Sequence, residues 1–245
     1  MDFMKLIMGA TVVLLATCVG AAGVFAVHRI GKVVYGVIVA LCAGVMSFSV
    51  LEMINEAHAM SGHVTALAGL LAGMVAFLVI DKLLPHAHLV LLGAEITSSK
   101  RKVALLVGTI TLHNIPEGFA VASAFATSAK LGWLVTVSIA LQDIPEGLLV
   151  AAPVAWYGVA VRHSFWWGVF SGLVEFVAAI AGFLFLRAVS AARPLALGFS
   201  GGAMAYVVIS ELLPDVMEAE NRYVALTAFI AGFAGAYGFA ALIGF

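Results

Sequence analysis

The sequence repeats one polar, helix-breaking motif within an otherwise apolar chain. HNIPEG occupies residues 113–118, and QDIPEG occupies residues 142–147, an offset of 29 positions. In each copy the first residue and the glutamate are four positions apart, so their side chains share one face of a helix. These pairs are His113 with Glu117, and Gln142 with Glu146. If the two faces oppose each other, they form a ring of nitrogen and oxygen ligands.

Asn114 and Asp143 extend this set, because each lies about 100° further round its helix. Mixed nitrogen and oxygen donors suit zinc or another first-row divalent ion, whereas magnesium and calcium prefer shells of oxygen alone. A proline and a glycine in each copy should bend the helix at the ligands and allow close approach of a neighbour. They are Pro116 and Gly118 in the first copy, and Pro145 and Gly147 in the second.

Four acidic residues fall in the middle of apolar stretches. They are Glu117, Asp143, Glu146 and, in SGLVEF, Glu175. A charged side chain at the bilayer centre costs about 2.5–3.5 kcal/mol, and no lysine or arginine lies at that depth. Protons could neutralise the acids, but two divalent cations would balance all four and also use His113. We therefore expect bound metal, while a proton-titrating role for Glu175 stays open.

The composition indicates that lipid surrounds the chain. Of its 245 residues, 64% are hydrophobic and 10% are charged, and the mean hydropathy is +1.15, whereas a soluble domain carries about 25% charge. The net charge of −1 provides no basic surface, which excludes nucleic acid as a partner. The two cysteines, Cys18 and Cys42, are expected to be buried packing residues.

Eight apolar stretches are each long enough, at about 20 residues, to cross the hydrocarbon core as a helix. They lie near residues 4–27, 33–57, 62–84, 103–126, 131–155, 164–187, 194–214 and 223–244. The breaks between them are short, and no linker or soluble segment remains. The sequence therefore predicts an all-α integral membrane protein, with eight transmembrane helices in a single domain over residues 1–245.

The repeated motif lies on the fourth and fifth predicted helices. Consecutive spans run antiparallel, so these two helices form an inverted repeat. A weaker similarity relates the second and seventh predicted helices, which carry GVMSF (44–48) and GAMAY (202–206). Interrupted helices in an inverted repeat are typical of secondary transporters, whose substrate sites lie near the bilayer midplane.

The distribution of lysine and arginine orients the helices. With the N-terminus outside, the inner loops and inner helix ends hold eight of these residues, and the outer side holds four. The positive-inside rule therefore predicts that both termini lie outside.

HNIPEG, QDIPEG and SGLVE, together with DKLLPHAH on the third predicted helix, closely resemble the motifs of the ZIP (Zrt/Irt-like) divalent-metal transporters, especially their bacterial GufA-like branch. The resemblance covers essentially all eight helices. It implies a non-enzymatic protein of a bacterial plasma or inner membrane that moves Zn²⁺ toward the cytosol through a two-metal site between helices 4 and 5. Cd²⁺, Fe²⁺ and Mn²⁺ are further candidate ions, and a homodimer is a candidate assembly.

The resemblance also implies roles for individual residues. The first metal would be held by Met46, His113, Glu117, Gln142 and Glu146. The second would be held by Asn114, Asp143 and Glu175, with Glu117 and Glu146 bridging. The cytosolic exit would be lined by Asp81 and Glu211, with His86 and His88 nearby. Packing stays an alternative interpretation of Met46.

The sequence departs from the family pattern in ways that bear on metal preference. Many members have histidine where this chain has Gln142, and a His-Glu pair where it has Ser210 and Glu211. The long histidine-rich loop that many members carry between helices 3 and 4 is missing. Transport is still the function that the resemblance implies.

Two other functions are weighed against transport. The same ligands could line a selective metal-ion channel, which sequence does not distinguish from a transporter. An intramembrane zinc hydrolase is disfavoured, because the chain has no HExxH motif and His113 is its only deeply placed histidine.

Overall fold

A computed structural model of the chain describes the backbone of residues 2–26, 31–92 and 98–242, and the side chains of these residues outside 84–112. Every regular element in this part of the chain is helical. The predicted all-α fold class is therefore confirmed.

The helices follow one another with short connections. In chain order they are α1 (Phe3–Ala22), α2 (Lys32–Leu92), α3 (Ser98–Thr127), α4 (Ala129–Trp156), α5 (Val161–Ala188), α6 (Arg193–Val207), α7 (Leu213–Glu218) and α8 (Arg222–Leu242). Two 3₁₀ turns lie at Gly23–Phe25 and Ser190–Ala192. A π-helical turn, Val208–Leu212, joins α6 to α7.

The helix α2 is 61 residues long and contains one non-helical residue, Gly62, with φ 80° and ψ 175°. Glycine adopts this positive φ without the steric cost that a side chain would bring. The second and third predicted spans both lie within α2, and the helix continues to Leu92 rather than ending near residue 84. Pro85 therefore does not end this helix.

Six segments of the described chain are long and apolar enough to cross a membrane. They are Phe3–Phe25, Lys32–Leu83, Ala129–Trp156, Val161–Ala188, Ser190–Glu218 and Arg222–Leu242. Their number and composition support a multi-pass membrane protein. The count of eight spans stays a prediction.

The helix α1 is apolar both on its buried face and on its exposed face. Leu6, Ala10 and Val13 are buried against neighbouring helices, with at most 1% exposure each. The opposite face carries an exposed stripe of Met4, Met8, Val12, Leu15 and Val19. Because this exposed stripe is as apolar as the buried one, it suits contact with lipid chains rather than with water.

The helices pack in two groups. In the first group, α1 packs against α4 and α5, and α3 packs against α4 and α5. In the second group, α2 packs against α6 and α8, and α7 packs against α2 and α8. The groups meet mainly where α3 contacts α6 and where α2 contacts α4.

A one-residue connection sets the two copies of the repeated motif against each other. Ser128 alone separates α3 from α4, and its hydroxyl caps α4 by accepting a hydrogen bond from the amide of Leu131 at 3.1 Å. Such a cap satisfies a backbone donor that the first turn of a helix leaves free. The tight turn makes α3 and α4 packed neighbours, so both motifs can contribute to one site.

Candidate metal centre

Three carboxylates converge where α3 faces α4. Glu117, Asp143 and Glu146 each offer one oxygen, and these oxygens all lie within 4.8 Å of one another. Glu117 and Asp143 are each only 1% exposed, and Glu146 is partly buried. Ionised carboxylates at this separation repel, and burial removes the water that would screen them. The carboxylate cluster therefore requires a positive partner, which protons or a metal cation can supply.

Gln142 connects the two motifs directly. Its Nε2 donates a hydrogen bond to Oε1 of Glu117, and its side chain is 1% exposed. The thiol of Cys42, on α2, donates to the backbone carbonyl of Gln142 with an Sγ to O distance of 3.6 Å. The start of the second motif is therefore fixed to α3 on one side and to α2 on the other.

Asp143 contacts two helices besides its own. Oγ1 of Thr17, on α1, lies 3.2 Å from Oδ2 of Asp143, and the carboxyl groups of Asp143 and Glu175, on α5, face each other. Glu175 is 1% exposed. Two ionised carboxylates carry no hydrogen to share, so a proton or a cation would relieve the repulsion between Asp143 and Glu175.

Several buried oxygens of these residues have no hydrogen-bond partner within the described residues. They are Oε2 of Glu117, Oε1 of Gln142, Oδ1 of Asp143, and both carboxylate oxygens of Glu175. Buried polar atoms are normally paired, because an unpaired one costs about 1–3 kcal/mol and a charged one costs more. Oxygens that accept but cannot donate are what a cation satisfies. Their chemistry fits a divalent metal cation.

The glycine of each motif allows a neighbouring helix to approach the carboxylates. A Cβ added to Gly118 would overlap the backbone carbonyl oxygen of Glu175, and a Cβ added to Gly147 would overlap that of Thr17. The close approach expected from the sequence is therefore observed at both positions. It brings α5 to α3 beside Glu117, and α1 to α4 beside Glu146.

His113 lies one turn before Glu117, and its Nε2 is 2.9 Å from Oε1 of Glu211. The two side chains are 15% and 33% exposed. Sequence reasoning assigned His113 to the first metal and Glu211 to the exit, and the structure joins the two residues directly. Glu211 lies in the π-helical turn, a distortion that is frequent at functional sites.

The other residues of the predicted site have varied positions. Met46 is buried in the core, one turn along α2 from Cys42, and Asn114 is 1% exposed on α3. Asp81 is exposed, and its Oδ2 accepts a hydrogen bond of 2.8 Å from the hydroxyl of Tyr206. The side chains of His86 and His88 lie outside the described residues.

Access to the carboxylate cluster differs between the two ends of the bundle. Toward the turn between α3 and α4, the neighbouring apolar residues are at most 8% exposed. They are Val50, Met53, Val121, Val135, Ile139 and Met204. Toward the opposite end, His113 and Glu211 are partly exposed, and Asp81 and Ser210 are exposed. Among the described residues, the side chains near the cluster are thus more exposed toward the Glu211 end.

Sequence reasoning missed three residues that hold the site together. Thr17, Cys42 and Tyr206 contact Asp143, Gln142 and Asp81, each across 100 or more positions of the chain. Motif spacing signals only contacts within one helix or between adjacent repeats. No local pattern distinguishes these three from ordinary packing residues.

Comparison with known proteins gives one family. The family described as "ZIP Zinc transporter" matches residues 92–243. Zinc transporter GufA of Myxococcus xanthus is 34% identical over 230 residues, which cover 89% of this chain and 91% of that protein. Zinc transporter ZupT of Corynebacterium aurimucosum is 30% identical over 240 residues, covering 90% of each chain.

An animal relative shares a shorter segment. Zinc transporter ZIP11 of Homo sapiens is 40% identical over 143 residues, which cover 56% of this chain. The matched segment is 42% of the human protein, so the similarity spans less than half of that relative. The two bacterial relatives named above each match along about nine tenths of their length.

Proposed function

Since the chain belongs to the ZIP zinc transporter family, we propose that it carries Zn²⁺ across a lipid bilayer toward the cytosol. The observation that carries this proposal is the buried cluster of Glu117, Asp143 and Glu146, whose oxygens converge within 4.8 Å. Placing such acids inside a membrane costs several kcal/mol. A bound cation offsets this cost because it neutralises their charge. Cd²⁺, Fe²⁺ and Mn²⁺ have similar ligand chemistry and are proposed as competing substrates.

The proposed site holds two metal ions between α3 and α4. The first ion is held by Met46, His113, Glu117, Gln142 and Glu146. The second ion is held by Asn114, Asp143 and Glu175, with Glu117 and Glu146 bridging. Two features support this arrangement: the unpaired buried oxygens of Glu117, Gln142, Asp143 and Glu175, and the carboxyl groups of Asp143 and Glu175 that face each other. In this arrangement His113 must leave Glu211 before its Nε2 can bind metal.

The membrane domain is proposed to contain eight spans. The 61 residues of α2 would extend about 90 Å at 1.5 Å per residue, three times the hydrocarbon thickness of about 30 Å. A single span of that length is excluded, so the break at Gly62 divides α2 into two. The α6–α7 segment counts as one span, and α3 as another. With α1, α4, α5 and α8 the total is eight.

We further propose a bacterial plasma or inner membrane, with both termini outside. The lysine and arginine distribution supports this orientation. Aromatic residues support a membrane interface at the turn between α4 and α5, where Trp156, Tyr157, Trp166 and Trp167 are all exposed, because exposed tryptophan and tyrosine concentrate at such interfaces. We also propose that the chain assembles as a homodimer.

Unequal access to the carboxylate cluster supports alternating access. A conducting channel needs a continuous path, whereas the described residues close one end of the cluster with apolar packing and expose the other end at Glu211. We propose that the group of α1, α3, α4 and α5 moves against the group of α2, α6, α7 and α8. In this proposal the cluster faces the cytosol, and Asp81 and Glu211 line the exit. His86 and His88, whose side chains lie outside the described residues, are proposed to join them.

Reconstitution into liposomes tests the proposal. Liposomes that contain the purified chain and a zinc-sensitive dye should accumulate Zn²⁺, and Glu117→Ala and Glu146→Ala should abolish the signal. Glu218→Ala is the matched control, because Glu218 is exposed at the end of α7. Equal uptake by wild type and Glu117→Ala would show that the cluster does not carry the ion.

The purified chain also allows the rival functions to be distinguished. A transporter saturates with Zn²⁺ and carries a limited number of ions per second, whereas a channel gives single-channel currents under voltage in a planar bilayer. An intramembrane hydrolase would release a product from lipid or peptide without ion flux. Either of these outcomes would replace transport as the function of the cluster.

A further inference from the structure

Two histidines stack on each other across the break in α2. The ring centroids of His58 and His63 lie 3.8 Å apart, with 20° between the ring planes. On an uninterrupted helix, residues five positions apart point about 140° away from each other, so their rings would not meet. The positive φ of Gly62 redirects the chain between them. The stacked pair is therefore a product of this single non-helical residue.

We propose that His58 and His63 bind a divalent first-row metal cation at the end of the bundle opposite Glu211. A Zn–N bond of about 2.05 Å and a tetrahedral angle place the two coordinating nitrogens about 3.4 Å apart. The 3.8 Å separation joins the centroids of nearly parallel rings, whereas two imidazoles that bind one tetrahedral ion have centroids about 5 Å apart. Both side chains are exposed, so the two rings can move apart and rotate until one nitrogen of each points to a shared ion.

The number of protein ligands defines the kind of site. The carboxylate cluster is the one group of three or more histidine, cysteine, aspartate or glutamate ligands found among the described residues. The histidine pair thus supplies two ligands, and water would fill the remaining positions. Structural zinc sites use four protein ligands, so the histidine pair forms an open site that binds and releases metal readily.

Local charge also favours a cation at the histidine pair. Glu52 and Glu56 precede His58 on the same helical segment, and their carboxylates are close enough to interact. No lysine or arginine occurs between Lys32 and Lys82. The segment that carries the two histidines is therefore negatively charged, which raises the local concentration of cations.

The histidine pair lies beside the closed end of the central site. Met60, between the two histidines, contacts Thr127 at the end of α3 with an Sδ to Oγ1 distance of 3.9 Å. Glu117 lies ten residues before Thr127, about 15 Å along the helix. If the proposed function holds, the pair collects metal before the central site opens at this end. That role rests on the proposed function, but metal binding by the pair does not.

Chemical modification of the full-length chain in detergent tests the binding. Diethyl pyrocarbonate reacts with neutral imidazole nitrogens, and mass spectrometry reports the rate at each histidine. We expect Zn²⁺ to slow modification of His58 and His63 at least five-fold. His163, exposed on α5, is the internal control and should react at an unchanged rate. Protection should persist in Glu117→Ala, which disrupts the central cluster.

Two variants test whether the histidines act as a pair. His58→Ala should remove the zinc protection of His63. Gly62→Ala keeps both histidines but strains the positive φ, and it should weaken protection of both, whereas Gly235→Ala on α8, where an added Cβ meets open space, should not. Unchanged rates in wild type with Zn²⁺, or full protection of His63 in His58→Ala, would overturn the proposal even if Gly62→Ala does not fold.

Liposome uptake separates this inference from the proposed function. His58→Ala should raise the Zn²⁺ concentration for half-maximal uptake several-fold without lowering the maximal rate. Normal uptake with no histidine protection would reject the histidine site alone. Protection without any uptake by wild type would reject the transport function and leave the histidine site standing.

Discussion

His113 Nε2 and Glu211 Oε1 lie 2.9 Å apart and join α3 to the π-helical turn between α6 and α7. This contact connects the two packing groups of helices close to the carboxylate cluster. The same nitrogen cannot contact Glu211 and bind a metal ion at once. Metal binding by His113 through Nε2 therefore has to break a contact that holds the two groups together.

The first prediction concerns this competition. Glu211→Gln removes the negative charge beside His113, and Zn²⁺ should bind the central site about 1.5- to 5-fold more tightly if that charge contributes about 0.2–1 kcal/mol to the contact. Calorimetric titration in a His58→Ala background measures the central site alone. Glu218→Gln is the control for loss of an acidic charge. Weaker binding in Glu211→Gln would instead make Glu211 a ligand.

The second prediction concerns stabilisation by the ion. Zn²⁺ at about 100 times its dissociation constant should raise the free energy of unfolding by about 2.7 kcal/mol, which corresponds to a rise in Tm of roughly 5–11 °C for a chain of this size. Thermal unfolding in detergent should show most of this rise disappearing in Glu117→Gln. Glu220→Gln, at an exposed position, should keep it. A full rise in Glu117→Gln would remove Glu117 from the ligand set.

The third prediction concerns the glycine of the first motif. Gly118→Ala places a methyl group against the carbonyl oxygen of Glu175, so α5 has to move away from α3. Overpacking of this kind costs about 1–3 kcal/mol, and we expect lower Tm together with loss of zinc uptake. Gly238→Ala meets open space and serves as the control. Wild-type stability and uptake in Gly118→Ala would show that the close approach is dispensable.

The fourth prediction concerns Thr17 as a positioning residue for Asp143. Thr17→Val keeps the shape but removes the hydroxyl that contacts the Asp143 carboxylate at 3.2 Å. Loss of a partner that orients a metal ligand lowers metal affinity by about 10- to 100-fold, which zinc titration would detect. Thr17→Ser should restore affinity to within about two-fold of wild type. A purely structural role would lower stability in both variants and leave zinc affinity unchanged.

The helix boundaries show where sequence reasoning was sound and where it failed. Apolar composition predicted the all-helical fold class correctly, because lipid leaves helices as the main way to pair backbone groups. The predicted spans near 62–84 and 103–126 left a break between them, yet α2 runs to Leu92 and α3 begins at Ser98. Lysine and arginine, which occupy residues 100–102, are good helix formers, so a polar stretch does not by itself exclude a helix.

The predicted metal ligands likewise divide into a part that sequence reasoning placed correctly and a part that is untested. The four-residue spacing within HNIPEG and QDIPEG placed Glu117 and Glu146 on facing surfaces, and the structure brings both together with Asp143. That result followed from helix periodicity and a short turn. The metal-ligand roles of all the site residues, Met46, Asn114 and Glu175 included, stay predictions.

By itself, the sequence determined the all-helical membrane architecture, the family, and the supply of acids and histidine available to a cation, because composition and helix periodicity are local properties. Only the tertiary structure decided three contacts: His113 with Glu211, Thr17 with Asp143, and the stacking of His58 on His63 across Gly62. The first two contacts join residues about 100 or more positions apart, and the third depends on one backbone angle. Packing of the whole chain sets such contacts, so no local pattern encodes them.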